Sequence, residues 1–141
     1  MIPESAQDST HSTSIDVLFV DDSVNLCRAM ELWLISSGYQ AMTALSAAQA
    51  EEIAREKRPK VVITDIGLPD SSGYELQRRL KEIEGMEHTD YIALSGQRDK
   101  SNPRHAIEAG FDTFLSKPPS FEELAAILRE ALPNHPSNAG F

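Results

Sequence analysis

The chain has 141 residues, 40% hydrophobic and 25% charged, the size and balance of one globular domain. Its net charge of −9 repels phosphate backbones and anionic lipid, and no apolar run is long enough to span a bilayer, so direct nucleic-acid binding and membrane insertion are both disfavoured. A single cysteine, Cys27, rules out an internal disulfide and fits a reducing, cytoplasmic setting.

Residues 1–14 are polar, rich in Ser and Thr and without periodicity, and read as a disordered leader. They lack the basic and apolar regions of a secretory signal. The first strand is expected at 16–20 (DVLFV). A helix should follow from Ser23 to Ser37, with Leu26, Met30, Trp33 and Leu34 at helical spacing and Gly38 just past its end. Cys27 falls inside that apolar pattern and reads as a buried, inert thiol. Residues 39–44 suit a short second strand. Ser46 caps a second helix, with Gln49 completing a capping box, and Pro59 closes it.

Residues 61–65 (VVITD) form the central strand: a β-branched run, bounded by turn residues, that suits burial on both faces. A turn through Gly67, Pro69, Asp70, Ser71 and Ser72 leads to a third helix over 73–83 and a polar loop over 84–90. The fourth strand is expected at 91–94. A short fourth helix, capped by Ser101 or Asn102 and starting near Pro103, should end before Gly110. The fifth strand is expected at 112–116. Ser120 and Glu123 cap the last helix, whose apolar face carries Phe121, Leu124, Ala125, Leu128 and Leu132. Pro133 and Pro136 end the structure, and 133–141 reads as a disordered tail. Strands alternating with helices imply a parallel sheet covered on both faces. Neither a dinucleotide-binding glycine fingerprint nor a P-loop is present.

Four of these strands end in a polar group: Asp21 and Asp22, then Asp65, Ser95 and Lys117. If the strands are parallel, the groups converge at one sheet edge, where open α/β sheets place their chemistry. Each has a plain alternative: a charge pair at a helix start, a turn, a surface lysine. Three carboxylates together repel one another unless a cation is present, and hard oxygen donors without Cys or paired His suit Mg²⁺ or Mn²⁺ rather than zinc. A carboxylate nucleophile, a cation, a lysine and a small hydroxyl are the parts needed to stabilise a transferring phosphoryl group, with Asp65 as its acceptor.

From residue 15 to 132 the sequence resembles the receiver domain of two-component response regulators. The matching stretches are Asp21–Asp22, D-I-G-L-P-D-S-S-G at 65–73, A-L-S-G at 93–96, E-A-G-F-D at 108–112 and L-S-K-P at 115–118. The resemblance implies a flavodoxin-like five-stranded parallel sheet in the order 2-1-3-4-5. It implies Asp65 as phosphoacceptor, with Mg²⁺ held by Asp22, Asp65 and the Gly67 carbonyl, and by Asp21 through water. Ser95 and Lys117 would contact the phosphoryl group, Phe114 would be the aromatic switch position (or plain packing on the fifth strand), and the Lys117–Pro118 bond would be cis. The expected donor is a sensor histidine kinase or a histidine phosphotransfer protein. The signal would leave through the face of the fourth helix, fifth strand and fifth helix to an unknown downstream protein. Such a chain is not an enzyme in the usual sense, although it catalyses its own aspartate phosphorylation and dephosphorylation.

Gly67 stands where the family usually has a side chain, and Leu68 where Met is frequent. Gln97 lies two residues after Ser95, where an amide could position an attacking water. Nothing after Leu132 reads as an output domain, so the expectation is a stand-alone regulator, a phosphorelay shuttle, or a receiver excised from a longer chain such as a hybrid sensor kinase. A haloacid-dehalogenase-like phosphatase would need a second Asp two residues after the nucleophile, where Gly67 stands. A degenerate, binding-only receiver would need a broken acidic set. The four histidines, His11, His88, His105 and His135, have no metal-ligand spacing and are assigned no role.

Overall fold

The apolar runs become strands because each can be buried on both faces of a parallel sheet. The computed structural model of the chain describes residues 14–96 and 102–136. Its elements in order are β1 (Val17–Val20), α1 (Val24–Ser36), β2 (Ala41–Ala44), α2 (Ala47–Lys57), β3 (Val61–Asp65), α3 (Gly73–Lys81), β4 (Asp90–Ser95), α4 (Pro103–Ala109), β5 (Thr113–Ser116) and α5 (Phe121–Ala131). All strand pairs are parallel and the sheet order is β2-β1-β3-β4-β5. This is the expected flavodoxin-like arrangement.

Alternation along the strands divides the core. Val17, Phe19, Val61, Ile63, Ile92 and Leu94 pack with Cys27, Met30 and Leu34 of α1 and with Leu124 and Leu128 of α5. Leu18, Val20, Val62, Tyr91 and Ala93 face the other way, against α2, α3 and α4. On that side α2 presents Ala47, Ala50 and Ala54, small residues that let the helix lie close to the sheet. The helices start at side-chain caps: Ser23, Ser46, Asn102 and Ser120, as expected, and Ser72, read from sequence only as a turn residue, each accept a backbone N–H three residues on. Asn102 therefore caps α4, while Ser101 and Gln97 lie outside the described residues.

Most element boundaries fall within one or two residues of expectation, and the start of β2 differs for a clear physical reason. Tyr39 does not start β2, because its N–H closes the end of α1 on the Leu34 carbonyl at 3.0 Å, after Gly38 turns the chain at φ 98°. Residues 133–136 also make tertiary contacts. The segment after α5 turns back under the sheet, where the His135 ring packs on Tyr39 with centroids 4.7 Å apart. His135 Nε2 lies 2.9 Å from Asp16 Oδ2, which also accepts the Gln40 N–H. Pro133 to Pro136 are therefore placed against the end of the sheet, and His135, given no role from sequence, anchors them. Among the described residues no helix is long and apolar enough to cross a membrane.

Candidate functional site

β1, β3, β4 and β5 run in the same direction, so their C-terminal ends share one sheet edge. Asp21 and Asp22 follow β1, Asp65 and Ser95 end β3 and β4, and Lys117 follows β5. The chain thus gathers residues up to 96 positions apart in sequence onto one edge.

Asp21 is fully buried and Asp65 is 5% exposed, whereas Asp22 is exposed. One carboxylate oxygen from each of the three lies within 4.8 Å of the others. Lys117 Nζ stands between two of them, 2.7 Å from Asp21 Oδ2 and 3.0 Å from Asp65 Oδ2. Backbone N–H groups take the remaining oxygens: Ser23 donates to Asp21 Oδ1 at 2.8 Å and Gly67 donates to Asp65 Oδ1 at 3.1 Å.

Burial pushes the Asp65 carboxyl above the usual carboxylate range; Lys117 and the Gly67 N–H offset this in part, and the Asp21 charge adds to it. Burial pulls Lys117 down, but the Asp21 and Asp65 carboxylates outweigh it and hold the ammonium above its ordinary value. Three carboxylates facing one ammonium leave an excess of negative charge. Asp21 Oδ2 is fully shielded from solvent and has no hydrogen-bond partner, since the Lys117 contact is an ion pair without hydrogen-bond geometry. Three carboxylates within 4.8 Å of one another, an all-oxygen donor set carrying more negative charge than one lysine offsets, fit a hard divalent cation.

The loop after Asp65 is held by its own backbone. Gly67 and Ser72 form an antiparallel bridge, Leu68 N donates to Ser71 O at 3.2 Å, and Gly73 N donates to Ile66 O at 2.7 Å. On the far side, Lys117 N donates to Ser95 O at 2.9 Å and the Lys117–Pro118 bond is cis, as expected. Ser95 is 6% exposed and its hydroxyl donates to the Gly96 carbonyl at 3.3 Å. Phe114 is half-buried against the α2–α3–α4 side of the core. The structure thus brings Asp21, Asp22, Asp65 and Lys117 together, places Ser95 at the end of the neighbouring strand, and puts Phe114 behind the edge. Sequence reasoning missed Asp70, which it read only as a turn residue; Asp70 caps α2 from 23 positions away, and no local pattern records that.

The family model for the response regulator receiver domain matches residues 17–129. The chain belongs to the response regulator receiver family. The receiver is 39% identical over 116 residues to the transcriptional regulatory protein KdpE of Mycobacterium tuberculosis, covering 82% of this chain and 50% of that protein. It is 28% identical to the polar-differentiation response regulator DivK of Brucella ovis, over 82% of this chain and 94% of the relative. The chain spans about half the length of the first curated relatives it matches. Among solved structures, a receiver domain protein of Clostridium thermocellum superposes with a TM-score of 0.76 at 28% identity, over 84% of this chain and 94% of the other. The receiver domain of a sensor histidine kinase from Pseudomonas aeruginosa superposes with a TM-score of 0.75 at 26% identity, over 86% and 99% of the two chains; its structure has magnesium coordinated in the active-site cleft.

Cys27 lies directly under this edge. Its thiol donates to the Asp21 carbonyl at 3.2 Å, and burial, reinforced by the Asp21 charge, pushes it up to about 11. The folded receiver should therefore hold a thiolate fraction of only about 10⁻³ at pH 8. Iodoacetamide is expected to leave Cys27 unmodified in the native protein and to label it once urea unfolds the chain. Because the folded value is raised, alkaline pH favours the unfolded thiolate, and labelling should accelerate as pH climbs toward 11. Rapid native labelling at pH 8 would contradict this packing.

Proposed function

We propose that Asp65 accepts a phosphoryl group from a phosphohistidine on a sensor histidine kinase or a histidine phosphotransfer protein, in a Mg²⁺-dependent reaction in the cytoplasm. The observation that carries this reading is Asp65 itself. It is a nearly buried carboxylate at a strand end, within 4.8 Å of two further carboxylates and 3.0 Å from a lysine ammonium.

In the transfer, the N–P bond of the phosphohistidine breaks and an O–P bond forms at an Asp65 oxygen, with the imidazole leaving on the donor. Asp65 attacks through a carboxylate oxygen; burial raises its pKa, and Lys117 and the Gly67 N–H oppose that rise and favour the ionised form. Lys117 must then exchange its Asp65 contact for the incoming phosphoryl oxygens while keeping its contact with Asp21. Asp22, Asp65 and the Gly67 carbonyl would hold Mg²⁺, with Asp21 acting through water. Bound there, the ion supplies positive charge that offsets the phosphoryl oxygens.

Ser95, one strand over, would turn its hydroxyl from the Gly96 carbonyl toward the phosphoryl group. Phe114 on the adjoining strand would follow, and the face of α4, β5 and α5 would present the altered surface to a downstream protein. The output partner is a protein rather than nucleic acid, in keeping with the charge of −9. The receiver promotes its own phosphorylation and dephosphorylation and turns over no separate substrate.

The test is intact mass after incubation with a small acyl phosphate and Mg²⁺. Wild type should gain one phosphoryl group, Asp65→Asn none, and EDTA should abolish the gain. If Asp65→Asn gained as much as wild type, the acceptor would lie elsewhere. If wild type gained nothing from the small donor or from a phosphohistidine protein, the reading would fall.

A further inference from the structure

The first four backbone N–H groups of a helix have no partner within it. In α2 those of Ala47, Ala48 and Gln49 are satisfied by side chains, and two of them by a residue of another loop. Gln49 N donates to Ser46 Oγ at 3.2 Å, and Ala50 N makes the first bond of the helix itself to Ser46 O at 3.0 Å. Ala47 N donates to Asp70 Oδ1 at 2.8 Å and Ala48 N to Asp70 Oδ2 at 2.9 Å. Asp70 thus grips the start of α2 with both carboxylate oxygens, although the residue itself is exposed. These N–H groups hold its carboxyl below the usual carboxylate range.

The grip matters because of what stands at its two ends. Asp70 belongs to the loop that follows Asp65 and carries Gly67. The start of α2 lies just after β2, and the Ala44 carbonyl at the end of β2 accepts the Asp21 N–H at 3.0 Å. Contacts therefore run from Asp21 to Ala44, along the chain to Ala47 and Ala48, and across to Asp70. β1 and β3 pair directly up to Val20 and Thr64, which sets the strand ends, and the hydrogen bonds inside the acceptor loop fix its shape beyond them. The grip of Asp70 adds a further tie between that loop and the chain beside the acidic pair, from outside the site.

We infer that Asp70 is a positioning residue: by clamping Ala47 and Ala48 it sets the spacing between the Asp21–Asp22 loop and the Gly67 loop, and so tunes how tightly this edge takes a divalent cation. The inference rests on the phosphoacceptor reading above. Linkage requires the reverse effect as well: cation binding at the edge must tighten the clamp on α2.

The experiment titrates full-length protein with MgCl₂, following the Gly67 amide by NMR and the exchange of the Ala47 and Ala48 amides. Asp70→Ala should weaken Mg²⁺ binding about tenfold, the scale of lost outer-shell support at metal sites. Asp70→Asn keeps one acceptor oxygen and should fall between. In wild type, Mg²⁺ should slow exchange at Ala47 and Ala48; in Asp70→Ala both amides should exchange fast with or without the ion. Ser46→Ala is the control, because it loosens the first turn of α2 through Gln49 while leaving the Asp70 contacts in place. A wild-type affinity in Asp70→Ala, or equal weakening in Ser46→Ala, overturns the inference. A wild-type protein whose Gly67 amide ignores Mg²⁺ overturns the cation reading of the site itself, a different failure seen in a different sample.

Discussion

Lys117→Met should cost the receiver about 3 kcal/mol of stability at pH 7 in EDTA, the low end expected when one member of a buried ion pair is removed. The low end applies because the Lys117 side chain is 23% exposed, whereas its partners Asp21 and Asp65 are 0% and 7% exposed. The variant keeps the apolar stem but leaves those buried carboxylates facing each other without a cation. Two dependences follow. The Lys117 ammonium is held above its ordinary value, so its contribution is complete at neutral pH and is lost only as pH rises through that elevated value. Asp65 is already above the usual carboxylate range and resists ionisation further without Lys117, so acidification neutralises it sooner. The deficit of Lys117→Met should therefore shrink as pH falls from 7 toward about 4. Mg²⁺ should also restore stability at pH 7, because a ligand that binds only the folded form stabilises it by mass action. Urea unfolding midpoints at pH 7 and at lower pH, with and without Mg²⁺, read all of this. A variant as stable as wild type in EDTA would mean that Asp21 and Asp65 do not need the lysine.

Gly73→Ala should be as damaging by a different route. A Cβ at Gly73 would stand 2.5 Å from the Asp65 carbonyl oxygen and 2.9 Å from the Ile66 Cα. Both are backbone atoms at the end of β3, and neither can swing aside as a side chain tip would. Either α3 starts further from the sheet, breaking the 2.7 Å bond from Gly73 N to Ile66 O, or the backbone at Asp65 shifts. Overpacking of this kind costs about 3 kcal/mol. A displacement of Asp65 approaching 1 Å should slow phosphorylation by about 100-fold. Gly96→Ala makes the contrast, since a Cβ there meets nothing within 4 Å among the described residues. Its stability should stay within about 0.5 kcal/mol of wild type. Thermal melts and intact-mass time courses on the two variants separate the cases; equal behaviour would show that the Gly73 approach is not rigid.

The sheet, and the gathering of Asp21, Asp22, Asp65 and Lys117 at one of its edges, were legible because they follow local rules. Runs such as VVITD and DVLFV name buried strands, and a polar residue at the end of each marks one edge of the sheet once the strands are parallel. The caps at Ser46 and Ser120 were readable for the same reason, since donor and acceptor lie three residues apart. The missed features join residues remote in sequence. Asp70 meets Ala47 across 23 positions and His135 meets Asp16 across 119. Neither leaves periodicity or a local pair to read, and both residues look like ordinary members of a turn or tail. Gly73 was legible as the start of the third helix but not as a point of backbone contact, because only the packed fold places α3 against Asp65. Tyr39 looked like strand because aromatic residues favour sheets, yet its N–H closes α1.

The alternation of β1, β3 and β4 has an evolutionary consequence. Phe19 and Ile63 never touch what Leu18 and Val62 touch, since the sheet backbone separates the two sets of neighbours. Substitutions on opposite sides share no partner, so their effects should sum, while those on one side should show epistasis. The half that holds α1 and α5 can thus drift in sequence without forcing compensation in the half that holds α2, α3 and α4. The edge that carries the acidic cluster, fed by strands that belong to both halves, is where their histories have to meet.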